Sequence, residues 1–190
     1  MQVRNPDDGA NLSYTIMGQG PDVVLLHPFP VSHSFWLPVA EPLSQSYRLI
    51  LPNLRGLGAS SLGAVPATMQ KHAADIAAIC RHAGVTRGVF GGVSIGGYIL
   101  FEFWRNYRGL VRGLMLCNTK ASADNAEARA TRLQAADDVL QREPDAFLDG
   151  LHLKLVGETT RRNRPDLAAR LRAMMQQPAA GIAALQRGMA

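Results

Sequence analysis

The stretch Val89-Phe90-Gly91-Gly92-Val93-Ser94-Ile95-Gly96-Gly97-Tyr98 decides how this chain folds. An apolar run ends in glycines, one serine follows, and the next segment has the periodicity of a helix. Gly92-x-Ser94-x-Gly96 matches the G-x-S-x-G pattern, in which a sharp turn from strand to helix lifts a serine hydroxyl above a sheet. Small residues are required on both sides of the serine because the turn is strained and backbone passes close to it. The pattern therefore predicts a strand, a nucleophile elbow at Ser94 and a helix.

The composition is that of a globular protein with one domain of ordinary size. The chain has 190 residues, of which 47% are hydrophobic and 18% are charged, enough to bury a sizeable core. The N-terminus has no apolar signal segment, and the uncharged stretch 88–101 is too short and glycine-rich to span a bilayer. Cys80 and Cys117 lie in apolar segments, which indicates buried free thiols. We expect a cytoplasmic protein with no membrane partner.

The net charge of +5 raises the question of a nucleic-acid partner. The basic residues are concentrated in one helical region: Arg161, Arg162, Arg164, Arg170 and Arg172. No aromatic residues are interleaved with them, so the pattern indicates a solvated helix face rather than a nucleic-acid site.

Strands and helices alternate along the first 120 residues. The patterns predict strands over 10–17, 23–26, 47–51, 87–91 and 110–117, and helices over 35–44, 69–83 and 95–106. This alternation is typical of an α/β protein whose parallel sheet is covered on both faces. From residue 123 to 190 there is no strand signal, and about four short helices are predicted, with Pro144, Pro165 and Pro178 near their starts.

Three further stretches, together with the elbow, resemble the α/β-hydrolase superfamily. His27-Pro28-Phe29-Pro30 resembles its H-G-x-P oxyanion loop, and Asn53-x-Arg55-Gly56-x-Gly58-x-Ser60 resembles its D-x-R-G-x-G-x-S loop. Leu116-Cys117-Asn118-Thr119 looks like the sixth strand leading into an inserted helical cap. The most similar branch is that of serine-nucleophile esterases, enol-lactonases and cofactor-free haloperoxidase-like enzymes. The resemblance implies an α/β-hydrolase fold with no cofactor and no metal.

The resemblance also implies the roles of particular residues. Ser94 would attack the carbonyl of a small ester, thioester or lactone, and the backbone N–H groups of Phe29 and Ile95 would form the oxyanion hole. A serine instead of an aspartate at the elbow argues against the dehalogenase and epoxide-hydrolase branches. Pro28 replaces the usual glycine and Asn53 the usual aspartate, each at a modest expected cost. The cap residues Phe147, Leu151, Met174 and Met175 are candidates to line the acyl pocket, and the alternative is that they pack the cap against the core.

The family continues beyond the cap through two more strands, which carry the triad acid and then the histidine. This chain stops at Ala190, within what the resemblance implies is a cap helix. We therefore expect residues 1–120 to form the N-terminal part of the core and residues 121–190 the cap or lid. The C-terminal core segment, with its last two strands, is expected to be absent.

A serine nucleophile needs a base, and the chain has five histidines to consider. His27 belongs to the oxyanion loop and is predicted to be structural. His72 and His82 lie on the helix after Thr68, where a solvated or partner-facing position is expected. His33 could line the pocket mouth and His152 could reach down from the cap, although a loop position and a partly buried cap position are the simpler interpretations.

Asp124 is the candidate acid, because in some relatives the triad carboxylate follows the sixth strand. The alternative is that the segment Asp124-Asn125-Ala126-Glu127 caps the first helix of the cap. No histidine and carboxylate in the sequence form a predicted triad.

Three interpretations remain open. The first is a serine hydrolase truncated before its acid and histidine. The second is an inactive binding or assembly protein, or half of a split enzyme, in which the apolar edge 113–117 recruits a second copy or a complementing chain. The third is an enzyme that uses His33 or His152 as an improvised base.

Overall fold

The fold is built on a mixed sheet of six strands. The computed structural model describes residues 1–141 and 144–190. The strands are β1 (Gln2–Arg4), β2 (Asn11–Met17), β3 (Asp22–Leu26), β4 (Arg48–Pro52), β5 (Gly88–Val93) and β6 (Val111–Cys117). Their order is β1-β2-β4-β3-β5-β6, with β1 and β2 antiparallel to their neighbours and the other four strands parallel. The predicted α/β fold with a mostly parallel sheet is confirmed, and β1 is an additional strand.

Eight α-helices lie within the described residues. They are α1 (Leu37–Leu43), α2 (Met69–His82), α3 (Ile95–Tyr107), α4 (Ala126–Gln141), α5 (Pro144–Leu155), α6 (Glu158–Asn163), α7 (Pro165–Met174) and α8 (Ala179–Met189). As predicted, Thr68 caps α2 by accepting a hydrogen bond from the Lys71 N–H, and Gly84 follows its end at a φ of 70°. None of the helices in the described ranges is long and apolar enough to cross a membrane.

Both faces of the sheet are buried, as expected where helices cover a parallel sheet on two sides. Alternate residues of a strand point to opposite faces. Along β3, Val24 and Leu26 join the core cluster under α2 and α3, whereas Val23 and Leu25 join a smaller cluster under α1. Phe90 of β5 stacks against Phe103 of α3 in the larger cluster, with ring centroids 4.7 Å apart. The strand that leads to Ser94 is therefore held from both sides.

The region after β6 forms five helices, α4 to α8, rather than the predicted four. Gly157 and Pro165 divide residues 144–174 into three pieces, because glycine favours a break and the residue before a proline disfavours helix. Pro144 and Pro165 are the first residues of α5 and α7, and Pro178 directly precedes α8. The last helix packs along α4 and passes so close to Gly56 that a Cβ on Gly181 would collide with the Gly56 carbonyl.

Strand β6 lies at the edge of the sheet, where β5 is its only partner among the described residues. Its outer residues are consequently half exposed, 42% for Met115 and 44% for Leu116. Cys80 is buried as predicted, but Cys117 is exposed because the edge position leaves one side of β6 uncovered.

Candidate active site

The predicted turn is present at Ser94, which joins β5 directly to α3. Ser94 has a φ of 54° and a ψ of −115°, a conformation that side-chain-bearing residues rarely adopt. Neighbouring backbone excludes larger residues on both sides. A Cβ on Gly92 would collide with the backbone of Gly96, and a Cβ on Gly96 would lie 2.8 Å from the carbonyl oxygen of Leu26. The glycines are therefore required by contact as well as by conformation.

The end of β6 braces this turn from the side. The Ser94 N–H donates to the carbonyl of Cys117 (3.0 Å), and the Thr119 hydroxyl donates to the carbonyl of Ser94 (2.8 Å). Thr119 also fills the space that a side chain at Gly97 would need. Both backbone groups of Ser94 are thus engaged by one neighbouring segment. The sequence gives no local signal for this role of Thr119, since it depends on two strands being adjacent.

Ser94 opens into a cavity of about 300 Å³ between the oxyanion loop and the cap. The core side consists of Pro28, Phe29, Pro30, Val31, Phe35, Val93, Ser94 and Asn118, and the cap side of Leu155, Val156, Leu171 and Met175. Of the four cap residues predicted to line the pocket, Met175 does so. Phe147 and Leu151 instead line a separate cavity together with Arg132 and Gln186, because α5 turns them towards α4 and α8. Met174 is not part of the wall around Ser94.

The two predicted oxyanion donors lie close to Ser94, Phe29 in the wall of its cavity and Ile95 directly after it in the chain. Phe29 lines the cavity of Ser94, and Ile95 is the first residue of α3, where backbone N–H groups lack helical partners. Neither N–H donates a hydrogen bond to any residue in the described part of the chain. The N-terminus of α3 also favours negative charge through the helix dipole. Their catalytic role remains a prediction.

His27 connects the oxyanion loop to the loop after β4. Its Nε2 accepts a hydrogen bond from the Leu54 N–H (3.0 Å), so Nδ1 carries the proton and donates to the carbonyl of Pro28 (2.9 Å). Burial lowers the pKa of His27 to about 4, against the smaller opposing effect of the Pro28 bond. A neutral imidazole with both nitrogens engaged is a structural residue, as expected for this position.

The other four histidines do not line the cavity of Ser94 either. The Nδ1–H of His33 donates to Asn53 Oδ1 (2.9 Å), and His82 Nδ1 bonds the hydroxyl of Tyr14 (2.8 Å). The expectation of a solvated or partner-facing His72 is wrong: the ring is completely buried, without a hydrogen-bond partner, and burial lowers its pKa to about 3. His152 also has a buried Nδ1 without a partner.

Asp124 is engaged away from Ser94. Its carboxylate bonds Arg132 (2.5 Å) and Lys120 (2.6 Å), and these bonds hold its pKa below the usual range. It lines a different cavity, beside Tyr98. The residue that caps α4 is Asn125, which accepts a hydrogen bond from the Ala128 N–H (2.8 Å). The structure therefore does not bring Asp124 and Ser94 together.

A buried ionic cluster fixes the loop that begins at Asn53. Arg55 is fully buried and donates to the carboxylates of Asp75 and Asp8 and to the carbonyl of Leu62. Asn53 Nδ2 donates to Ser13 Oγ (2.8 Å), so the amide that replaces the usual aspartate still braces the loop. Within the described ranges, no group of three His, Cys, Asp or Glu side chains is placed to hold a metal ion.

Residues 21–184 match the sequence profile of the alpha/beta hydrolase fold family. The chain belongs to this family. Its whole length superposes on a thermophilic esterase from Thermogutta terrifontis with a TM-score of 0.92 and 36% identity, covering 72% of that chain. The turn at Ser94, residues 27–30 and helices α4 to α8 therefore lie within an α/β-hydrolase fold.

Two curated relatives are also hydrolases. The chain is 32% identical over 139 residues to the putative carbamate hydrolase RutD of Azorhizobium caulinodans, covering 73% of this chain and 52% of that protein. It is 31% identical over 109 residues to a soluble epoxide hydrolase of a Corynebacterium species, covering 57% of this chain and 38% of that protein. The chain thus matches about half, or less, of the length of these relatives.

Proposed function

We propose that this chain carries the nucleophile and oxyanion hole of a serine hydrolase that cleaves esters, thioesters or lactones. The observation that carries the proposal is the backbone of Ser94, held at a φ of 54° between β5 and α3, within one cavity with Phe29. Similarity to the Thermogutta terrifontis esterase supports an ester as the substrate class.

In the proposed reaction, Ser94 Oγ attacks the substrate carbonyl while a base takes its proton. The bond to the alcohol or thiol then breaks, leaving an acyl-serine that water hydrolyses in a second attack. The negative oxygen formed in each attack would accept hydrogen bonds from the N–H groups of Phe29 and Ile95. Each such donor contributes a factor of about 10² to 10³ in rate.

The chemistry of a serine also favours carbonyl substrates over the epoxides that one relative hydrolyses. If Ser94 Oγ opened an epoxide, the product would be an ether, which has no carbonyl for water to attack. Attack on an ester instead yields an acyl-serine that retains a carbonyl and can be released by water. Ester, thioester and lactone bonds are therefore the substrates we propose.

The base and acid are proposed to come from polypeptide outside these 190 residues, either a later segment or a second chain. The placement of the five histidines supports this proposal, since none lines the cavity of Ser94. His27 is bonded at both nitrogens, and His33 is bonded to Asn53. A free serine hydroxyl without a base is a poor nucleophile, so little turnover is expected from this chain alone.

Imidazole, a diffusible base, tests the nucleophile directly. The 190-residue protein is incubated with p-nitrophenyl acetate with and without imidazole, and acetylated peptides are identified by mass spectrometry. With imidazole we expect acetylation of Ser94, because the turn at Ser94 is already formed and the N–H groups of Phe29 and Ile95 are proposed to stabilise the oxyanion. Without imidazole we expect p-nitrophenolate release no faster than that of Ser94→Ala. Ser46→Ala, at an exposed turn, is the matched control and should behave as the unmodified protein.

Two outcomes would contradict parts of the proposal. Rapid Ser94-dependent turnover without imidazole would mean that a base within the chain is sufficient, which would favour His33 or His152. Acetylation spread over other hydroxyls and amines, with Ser94 unmodified, would reject Ser94 as the nucleophile. In that case the binding or assembly function would be preferred, in line with the half-exposed Met115 and Leu116 at the edge of the sheet.

A further inference from the structure

We infer that the cavity over Ser94 selects carbonyl substrates whose remaining part is small, uncharged and apolar, with Leu155 at its mouth. This inference rests on the proposed function, because it names the substrate class of the same site. The volume of about 300 Å³ is at the lower end of the range for ligand pockets, which indicates a small ligand.

Among the described residues, none that lines the cavity has a charged side chain. Phe29, Val31 and Phe35 form the core side, and Val156 and Met175, both buried, close it from the cap. Four other cavities on the surface each include at least one charged residue, and one of them is lined by both Arg132 and Glu127. The absence of charge is therefore a property of this cavity and not of the protein surface in general.

The cavity has few polar groups, enough to contact one carbonyl group of a substrate. Among the residues that line it, Ser94 and Asn118 have the only polar side chains, a hydroxyl and a neutral amide. A carboxylate or ammonium placed among the apolar walls would lose its hydration without gaining a partner of opposite charge. An alkyl or aryl group would instead bind favourably, because moving apolar surface out of water lowers the free energy.

Leu155 and Leu153 form a matched pair for testing where the ligand enters. Both are on α5 and similarly exposed, 61% and 58%, but Leu155 lines the cavity and Leu153 does not. Residues two apart in a helix point in nearly opposite directions, since each residue turns the helix by about 100°. A large side chain at Leu155 should obstruct the cavity, and the same change at Leu153 should not.

The experiment measures binding rather than catalysis. Methyl ketones have the carbonyl of the substrate but no leaving group, so their binding to the purified 190-residue chain can be followed by calorimetry without reaction. We expect saturable binding of 2-heptanone, with affinity rising about fourfold per methylene from 2-butanone upwards. Its carboxylate twin, 6-oxoheptanoate, should bind at least about a hundredfold more weakly. Leu155→Trp should weaken ketone binding by more than about fivefold, and Leu153→Trp should leave it unchanged.

Three results would overturn the inference: no saturable ketone binding, equal binding of 6-oxoheptanoate, or equal effects of the two tryptophan substitutions. These results are separable from those that test Ser94 as the nucleophile. A chain that is acetylated at Ser94 but prefers the carboxylate would keep the proposed function and reject the inference. If the chain selects ketones as expected but is never acetylated at Ser94, the inference about the apolar cavity is retained and the proposal that Ser94 is the nucleophile is rejected.

Discussion

Replacing Arg55 by methionine should strongly destabilise the protein. The guanidinium is completely buried and donates to Asp75 through Nε (2.8 Å) and Nη2 (2.6 Å), and to Asp8 through Nη1 (2.5 Å). Nη1 also donates to the carbonyl of Leu62 (2.8 Å). The carboxylate side chains are 4% exposed for Asp8 and 3% for Asp75, so water cannot replace the lost partner.

The expected loss follows from what the substitution leaves behind. Removing one member of a buried ion pair costs about 3–5 kcal/mol, because the remaining charge stays buried and unpaired. Arg55→Met removes the guanidinium from two buried carboxylates, and the Asn5 amide at Asp75 and Lys71 at 4.0 Å from Asp8 replace it only in part. We therefore expect a loss of at least about 3 kcal/mol in the free energy of unfolding at pH 7. Methionine has a flexible side chain that can fill much of the vacated space. The loss of stability should therefore come mainly from the lost ionic contacts and not from a cavity.

The loss should shrink as the pH falls. In the unmodified protein, burial raises the pKa of Asp75 despite the bonds from Arg55, whereas at Asp8 the bonds from Arg55 and the Ala10 N–H, together with the charges of Arg55 and Lys71, outweigh burial and lower the pKa. Without Arg55, burial is opposed only by the Asn5 hydrogen bond and Lys71 at Asp75, and by the Ala10 N–H and Lys71 at Asp8, so both folded-state pKa values rise relative to those of the unmodified protein. A group with a raised folded pKa binds protons more readily when folded, so it favours folding as the pH decreases. The penalty of Arg55→Met should therefore be smaller at pH 5 than at pH 7.

Urea unfolding followed by circular dichroism measures this penalty at both pH values. Arg55→Met combined with Asp75→Asn is the internal control, and it should recover part of the stability at pH 7 by removing one stranded charge. Arg164→Met breaks the solvent-exposed pair with Asp166 and should leave the midpoint unchanged. A penalty for Arg55→Met below about 1 kcal/mol, the range of surface pairs, or one that does not change with pH, would refute the reasoning.

Two further substitutions test the elbow and the buried histidine. Thr119→Val removes the donor to the Ser94 carbonyl and should slow imidazole-dependent acetylation of Ser94 about fivefold. Thr119→Ser should restore the rate, because it keeps the hydroxyl. Thr131→Val, on α4, is the control and should have no effect. Equal rates for Val and Ser at position 119 would exclude a positioning role for the hydroxyl. His72→Leu removes a buried ring without hydrogen bonds and should raise the free energy of unfolding by about 1 kcal/mol at pH 7. Burial lowers the folded-state pKa of His72 to about 3, against 6.5 for an ordinary histidine, so the stability of the unmodified protein should fall as the pH drops from about 6.5 to 3. The stability of the variant should fall less steeply, and identical urea midpoints over this range would contradict the prediction.

Local patterns were sufficient for the elements that surround Ser94. The apolar run before Ser94, the glycines beside it and the helical periodicity after it act within ten residues, so they predict the turn without any tertiary information. The same holds for α2, whose cap at Thr68 and stop at Gly84 are local signals. The roles of Phe29 and Ile95, by contrast, rested on the resemblance to a family.

The features that could not be predicted depend on which segments become neighbours. Thr119 meets Ser94 only because β5 and β6 pair in parallel, and Phe147 turns away from Ser94 because α5 packs on α4. His72 is a different case, because a signal was available: it precedes Ile76 by four residues and Ile79 by seven, which places it on the same buried helix face.

The contacts described above that fix the turn at Ser94 lie within the first 119 residues. Gly92 and Gly96 pack backbone against backbone, while Cys117 and Thr119 engage both backbone groups of Ser94. Helices α4 to α8 take no part in these contacts, and neither does a histidine. The conformation of Ser94 therefore does not depend on a proton acceptor. Under the proposed function, the positioning of the nucleophile and the supply of its base are therefore expected to be separable. A diffusible base tests this separation, because it restores proton transfer and leaves the elbow unchanged.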